Sequence, residues 1–218
     1  MTEPYNPLAK RTLARTIKAE ILSRDLVSLD ALKRFEGAGA YAIYYCGALE
    51  FYEPLANSLA TATPKPIYVG KAIRAGGRIG GLGPEVTEKK THALFNRLRR
   101  HAQSVTSAQD LSPSDFKVRY LPIDDVWIPL GENMLIDTFQ PVWNKIISGF
   151  GNNPLGSGRD GQKIALWDLL HPGRVSLDHP GMRVATRDEL KERVRLYLAG
   201  QAVPEGEPEE LAHDDDDA

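Results

Sequence analysis

The chain has 218 residues, 42% of them hydrophobic, which is enough apolar content for one generous domain with a real core. Its single cysteine, Cys46, excludes an intramolecular disulfide framework and fits a reducing cytoplasm, and no apolar run approaches the ~20 residues of a membrane span. The net charge of −2 conceals an asymmetry: residues 205–218 carry eight acids and no Lys or Arg, which leaves residues 1–204 at +6. Between Lys71 and Arg100 eight basic residues stand against Glu85 and Glu88. That local excess suits a polyanionic partner, and a solvated face accounts for it equally well from composition alone.

Asn6-Pro7 reads as a helix start, a capping Asn followed by Pro at the first helical position, with Leu13, Ala14, Ile17 and Ile21 at helical spacing. Lys10, Arg11, Arg15 and Lys18 give this helix a basic side, suited to a DNA backbone or, more commonly, to packing with a solvated face. A second short helix is expected from about Ser28 to before Gly37. Ala40 to Cys46 alternates with no charge on either face and predicts a central strand covered on both sides. After a turn at Gly47-Ala48 and Leu49–Tyr52, a polar excursion runs to Pro66, and Ile67-Tyr68-Val69-Gly70-Lys71 opens the next strand. Residues 70–83 are rich in Gly, Arg and Lys but lack the spacing of a phosphate-binding P-loop.

A helix from about Thr91 carries Leu94, Phe95, Leu98, Ala102 and Val105 on one stripe, and Arg97, Arg100, His101 and Ser104 on another. Arg97 and His101 are one turn apart and therefore neighbours in space. Phe116–Leu121 alternates as a strand with one wet side. A helix from Pro129 through Phe139, ended by Pro141, puts Glu132 on the face of Leu135, Ile136 and Phe139. An acid there needs a partner or a metal, unless it is a first-turn Glu favoured by the helix dipole. Trp143-Asn144, a Gly/Asn-rich loop over residues 148–161 and a short apolar helix near residues 164–170 follow. Thr186-x-x-Glu189 is a capping box for a last helix carrying Leu190, Val194, Tyr197 and Leu198, with Gly200 as its stop. Beyond Val203 the composition is that of a disordered acidic tail.

Gly39-Ala40-Tyr41, Tyr68-Val69-Gly70-Lys71, Arg97-x-x-x-His101, Glu132 and Asn144, in this order and on these elements, resemble the GIY-YIG nuclease module over roughly residues 38–146. Each motif is weak alone, and five in order are hard to obtain by chance. Asn6-Pro7-Leu8, the stretch of residues 37–45 and Trp143-Asn144-Lys145 with its Gly/Asn-rich sequel are similar to the type II restriction endonuclease branch. Two departures stand out: Ala40 replaces the usual isoleucine, and 26 residues separate Tyr41 from Tyr68 where a tight hairpin is the norm.

The resemblance implies an α+β fold with a small, mostly antiparallel central sheet flanked by helices. Residues 1–37 would form an N-terminal helical extension for DNA or dimer contacts. The catalytic core would span 38–146 with an insertion at 47–66 that contacts DNA or a partner subunit, 147–203 would be a DNA-contacting loop and helices, and 204–218 the tail. It implies Mg²⁺-dependent phosphodiester hydrolysis, with Mn²⁺ as a substitute, and one ion per site held by Glu132 and stabilising the leaving 3′ oxygen. The products would be a 5′-phosphate and a 3′-hydroxyl. Arg97 would fork the phosphoryl oxygens. Tyr41 would activate the attacking water and pass its proton to His101, with Tyr68 and Lys71 orienting water and phosphate, although the two tyrosines can exchange roles. Asn144 would hold the site or the DNA by hydrogen bonds.

The substrate implied is a palindromic, GC-rich double-stranded DNA cut by a homodimer, with a cognate DNA methyltransferase as genetic partner. Candidates for DNA contact are Arg74, Arg78, Arg100, Lys145, Arg159, Lys163 and Arg174. Three rival readings stand beside this one: a repair or structure-selective GIY-YIG nuclease, a catalytically silent DNA-binding module, and an unrelated small-molecule α/β enzyme. In the bland account His101 is a surface residue among arginines and Asn144 caps the turn after Pro141.

Overall fold

The uncharged run Gly39–Tyr45 becomes a strand with all seven residues buried. The computed structural model describes residues 10–74, 90–151, 164–174 and 185–204, with side chains from residue 12 onward. In chain order its elements are α1 (Lys10–Ser23), β1 (Val27–Ser28), β2 (Gly39–Tyr45), α2 (Glu53–Ser58), β3 (Tyr68–Ala72), α3 (Ala93–Ser107), β4 (Phe116–Pro122), α4 (Ile128–Phe139), α5 (Val142–Lys145), α6 (Leu166–Leu170) and α7 (Arg187–Leu198). The strands form one antiparallel sheet in the order β1-β4-β2-β3, so this is an α+β fold. Among the described residues no helix is long and apolar enough to cross a membrane.

Strand alternation sends the two sides of β2 into two separate cores. Tyr41, Ile43 and Tyr45 join a large cluster with Leu94, Leu98, Phe116, Trp143 and Trp167. Ala40, Ala42 and Tyr44 point the other way, to Ile21 of α1 and Leu135 of α4. Gly39 has φ +156, and a Cβ there would run into the Leu121 carbonyl, so the strand can start this close to β4 only with glycine. Gln140, in the left-handed region at φ 48, caps α4, and Pro141 behind it prevents continuation.

Some expectations change. The stretch after Ser28 is not a helix: Val27 and Ser28 pair with Val118 and Lys117 of β4, and only Leu29–Ala31 forms a 3-10 turn. Tertiary pairing wins over local propensity there, and Phe35 lies flat on Tyr120 with ring centroids 4.0 Å apart. The insertion at 47–66 is not simply a polar excursion, because a 3-10 turn runs into α2 and buries Phe51, Tyr52 and Leu55. Part of the basic side of α1 packs, since Lys18 sits over the Phe139 ring. The capping box of α7 forms as expected, with Thr186 and Glu189 exchanging hydrogen bonds. Asn6-Pro7 and the tail from residue 205 lie outside the described residues.

Candidate active site

Tyr41 is fully buried, and register places it directly opposite Gly70 of β3. A Cβ at position 70 would fall against the Tyr41 hydroxyl and the edge of the Tyr68 ring. The glycine of the second motif is therefore needed for space, since it lets two phenols converge over bare backbone. Tyr41 Oη lies 2.6 Å from Nε2 of His101 on α3, and His101 packs 5.3 Å from the Tyr68 ring. Burial holds the imidazole well below its usual range, and Arg97, Arg100 and Arg174 push in the same direction. A neutral imidazole with Nε2 unprotonated accepts the Tyr41 O–H. The bland reading of His101 as a surface residue thus fails.

Lys71 falls one step further along β3, and alternation sends it to the opposite face, toward α4. There its Nζ donates to Glu132 Oε2 at 2.8 Å, and the lysine side chain is 27% exposed against 11% for the glutamate. The acid on the apolar face of α4 has found a partner rather than standing alone on the helix dipole. The candidate site therefore wraps round β3, with Tyr41, Tyr68 and His101 on one side and Lys71 and Glu132 on the other.

Asn144 holds the strand between them. Its Nδ2 donates to the Val69 carbonyl and its Oδ1 accepts from the Val69 N–H, both at 2.8 Å. Trp143 N–H donates to the Ile67 carbonyl at 3.0 Å. The Ile67 carbonyl and both backbone groups of Val69 face away from β2, so α5 satisfies the open edge of the sheet with one backbone donor and one side-chain amide. Asn144 is thereby tied to the sheet and does not serve as a cap for the turn.

Arg97 is buried beside His101 and its Nη2 donates to the Gly151 carbonyl at 3.0 Å. Phe150, next to it, stacks on His101 with centroids 4.6 Å apart and planes 16° from parallel. The helix face expected to be polar is covered by this segment, which sequence periodicity could not show.

The DNA-contact candidates divide. Arg100 and Lys145 are exposed. Arg74 is ion-paired with Asp125 at 3.3 Å. Arg174 is corrected: its side chain is 4% exposed and makes a two-pronged contact with Asp168, so its fork faces inward and does not reach a base edge. Arg78, Arg159 and Lys163 lie outside the described residues, as does the loop beyond Gly151 up to residue 163.

A second polar cluster went unread in the sequence. Trp143 Nε1 donates to Tyr52 Oη at 2.7 Å, Tyr52 Oη lies 2.9 Å from His171 Nε2, and His171 Nδ1 lies 3.0 Å from the Asp110 carboxylate. Burial lowers the His171 pKa against the pull of Asp110, and burial raises that of Tyr52. His171 is fully buried, so the cluster is a tether that fixes Trp143, and with it Asn144, between the insertion and α6. No signal in the sequence pairs residues this far apart.

No curated protein matches the chain. The family described as the Eco29kI GIY-YIG domain matches residues 33–198, a span that takes in every strand beyond β1 and all seven of the site residues above. Phenols converging on a buried histidine, a carboxylate paired with lysine across the strand, and an asparagine on the strand edge sit inside that matched region. The chain belongs to the restriction-endonuclease type of GIY-YIG family and is a DNA endonuclease.

Proposed function

We propose that the protein is a type II restriction endonuclease that cuts a palindromic, GC-rich duplex as a homodimer, with one Mg²⁺ per site. The observation that carries this is the pairing on β3, a phenol–imidazole pair on one face and a carboxylate–ammonium pair on the other. The donor set suits Mg²⁺. Glu132 is a hard oxygen donor, part-exposed at its side chain. Mg²⁺ is commonly held by one or two carboxylates together with waters and substrate phosphate. When bound, the ion supplies positive charge to the leaving 3′ oxygen.

The chain's own residues do the rest. Tyr41 orients and deprotonates the attacking water, and His101 receives the phenolic proton. Tyr68, whose ring packs beside Tyr41 and His101, orients that water. Arg97 brings its guanidinium to the phosphoryl oxygens, where charge develops. Lys71 neutralises Glu132 in the DNA-free protein and turns to the phosphate when DNA is bound. The products are a 5′-phosphate and a 3′-hydroxyl. One such site cuts one strand, so a palindrome calls for two sites about a two-fold axis. Arg100 and Lys145 are the exposed cations among the described candidates for DNA contact. A cognate DNA methyltransferase would protect the host sequence.

The test is plasmid cleavage by purified protein with Mg²⁺, set against Glu132→Gln. Discrete fragments from wild type only, ending at a shared palindrome, are expected, while the variant still binds the fragment. Equal cleavage by the variant would sink the role of Glu132, and ends without a common sequence would sink the restriction reading.

A further inference from the structure

Residues 149–151 lie over the catalytic imidazole, yet no helix or strand holds them. Gly149 sits at φ 100, a backbone conformation that favours glycine. Even so, the segment makes three contacts that depend on close placement. The Phe150 ring lies flat on His101 and edge-on to Tyr68 with centroids 5.0 Å apart, and the Gly151 carbonyl receives Arg97.

The tie that fixes it is Arg174. Its Nη2 donates to the Gly149 carbonyl at 2.8 Å and its Nη1 to the Phe150 carbonyl at 3.1 Å. The same guanidinium donates through Nε and Nη2 to Asp168 at 2.8 and 2.9 Å and lies over the Trp167 ring, 4.7 Å from its centroid. Asp168 and Trp167 belong to α6, and the Trp167 N–H donates to the Ser148 carbonyl. A planar fork with several fixed donors can hold two successive carbonyls and a carboxylate at once, which a lysine ammonium cannot do.

We propose that Arg174 is a positioning residue of the active site, clamping the Gly149 and Phe150 carbonyls so that Phe150 presses on His101 and Gly151 meets Arg97. This rests on the nuclease reading for its effect on cleavage, and on geometry alone for its effect on His101. The groups facing His101 are Tyr41 from β2, Tyr68 from β3, Arg97 and Arg100 from α3, and Arg174 from beyond α6. Losing Arg174 removes one of the cations that keep the imidazole neutral and also frees the ring that shields it.

The experiment uses the full-length protein and the variants Arg174→Gln, Arg174→Lys and Asp168→Asn. Three quantities are read: thermal melting, the His101 imidazole NMR signal against pH without DNA, and single-turnover plasmid cleavage with Mg²⁺. In Arg174→Gln the His101 signal should lose the Phe150 ring-current shift and titrate at higher pH, and cleavage should fall on the order of 10²-fold. Arg174→Lys should bring the titration back toward wild type without restoring the rate, a split that general destabilisation would not produce. Asp168→Asn keeps the arginine's charge but loosens the clamp, so it should lose part of the Phe150 ring-current shift and part of the cleavage rate without raising the titration as far, and it serves as the deciding variant if Arg174→Gln fails to fold. A folded variant with an unmoved His101 signal, or with wild-type cleavage, overturns the proposal. If wild type cuts no DNA, the nuclease reading falls while the His101 signal still tests the clamp.

Discussion

Asn144→Ala is the most direct probe of how the site is held. β3 is an edge strand, and the Val69 N–H and carbonyl both end on the Asn144 amide at 2.8 Å. Each such bond contributes about 1 kcal/mol net, and a backbone group left without a partner costs roughly 1–3 kcal/mol where water cannot reach it. Asn144 is half-buried, so water replaces part of what is lost and about 2–3 kcal/mol remains. In a domain of this size each kcal/mol moves the melting temperature by about 2–4 °C, so the variant should melt roughly 4–12 °C lower. Val69 lies between Tyr68 and Gly70, hence cleavage should fall even at temperatures where the variant is fully folded. Asn144→Asp separates the two bonds: it keeps the acceptor for the Val69 N–H but points a carboxylate at the Val69 carbonyl. Acidification protonates that group and gives it a donor, so the gap to wild type should narrow as pH falls. Scanning fluorimetry across pH, with single-turnover cleavage at low temperature, measures both. An Ala variant with wild-type melting, or an Asp variant with a constant deficit at every pH, would refute the edge-strand role.

Gly70→Ala should leave the protein folded but reduce cleavage by roughly 10²-fold, because the new Cβ meets the Tyr41 hydroxyl and separates it from His101. A wild-type single-turnover rate for this variant would show that the convergence of the two phenols is dispensable. Stability should fall with acid in a way traceable to two histidines. His101 and His171 both have pKa values lowered chiefly by burial, so below the ordinary histidine value of 6.5 the unfolded chain takes up protons that the folded one does not. Unfolding is therefore favoured as pH drops through 6.5 toward the folded values, by up to about 1.4 kcal/mol per pH unit for each histidine. Urea midpoints at a series of pH values should show the slope, and His171→Gln should flatten it; an unchanged slope would count against the assignment.

Local chemistry carried much of this structure in plain sight. The uncharged alternation of residues 40–46 announced a doubly covered strand, Thr186 and Glu189 announced a helix start, and Pro141 announced a stop. The family is legible as an ordered series of residue types, and the family match spans the seven positions that carry the resemblance. What stayed hidden depends on which distant surfaces meet. Periodicity separated Arg97 and His101 from the apolar stripe of α3 but could not say that Phe150 would cover them. Arg174 reads from sequence as a candidate DNA contact, whereas Asp168 and two backbone carbonyls surround it in the fold. Val27-Ser28 is too short to read as a strand without knowing that β4 runs alongside. The excursion after Tyr52 reads as polar, yet Leu55 on α2 turns inward beside Phe51 and Tyr52.

Among the described residues there are two buried tyrosine–histidine pairs, and on the nuclease reading their surroundings separate a catalytic pair from a structural one. In the pair formed by Tyr52 and His171, Nδ1–H donates a hydrogen bond to the Asp110 carboxylate, so Nε2 accepts from Tyr52, which in turn accepts from Trp143. Every proton has an owner, so nothing in this chain of bonds has reason to move. The pair formed by Tyr41 and His101 sits instead in the field of Arg97, Arg100 and Arg174, which oppose a proton on the imidazole together with burial. On the nuclease reading that opposition is conditional. A scissile phosphate brings negative charge to the same arginines and offsets them, so His101 gains affinity for the Tyr41 proton when substrate is in place. On that reading Arg97 meets the phosphate, and until it arrives the three arginines together keep the base from being protonated. A carboxylate in the position of Asp110 would have stabilised the imidazolium without substrate and removed that dependence.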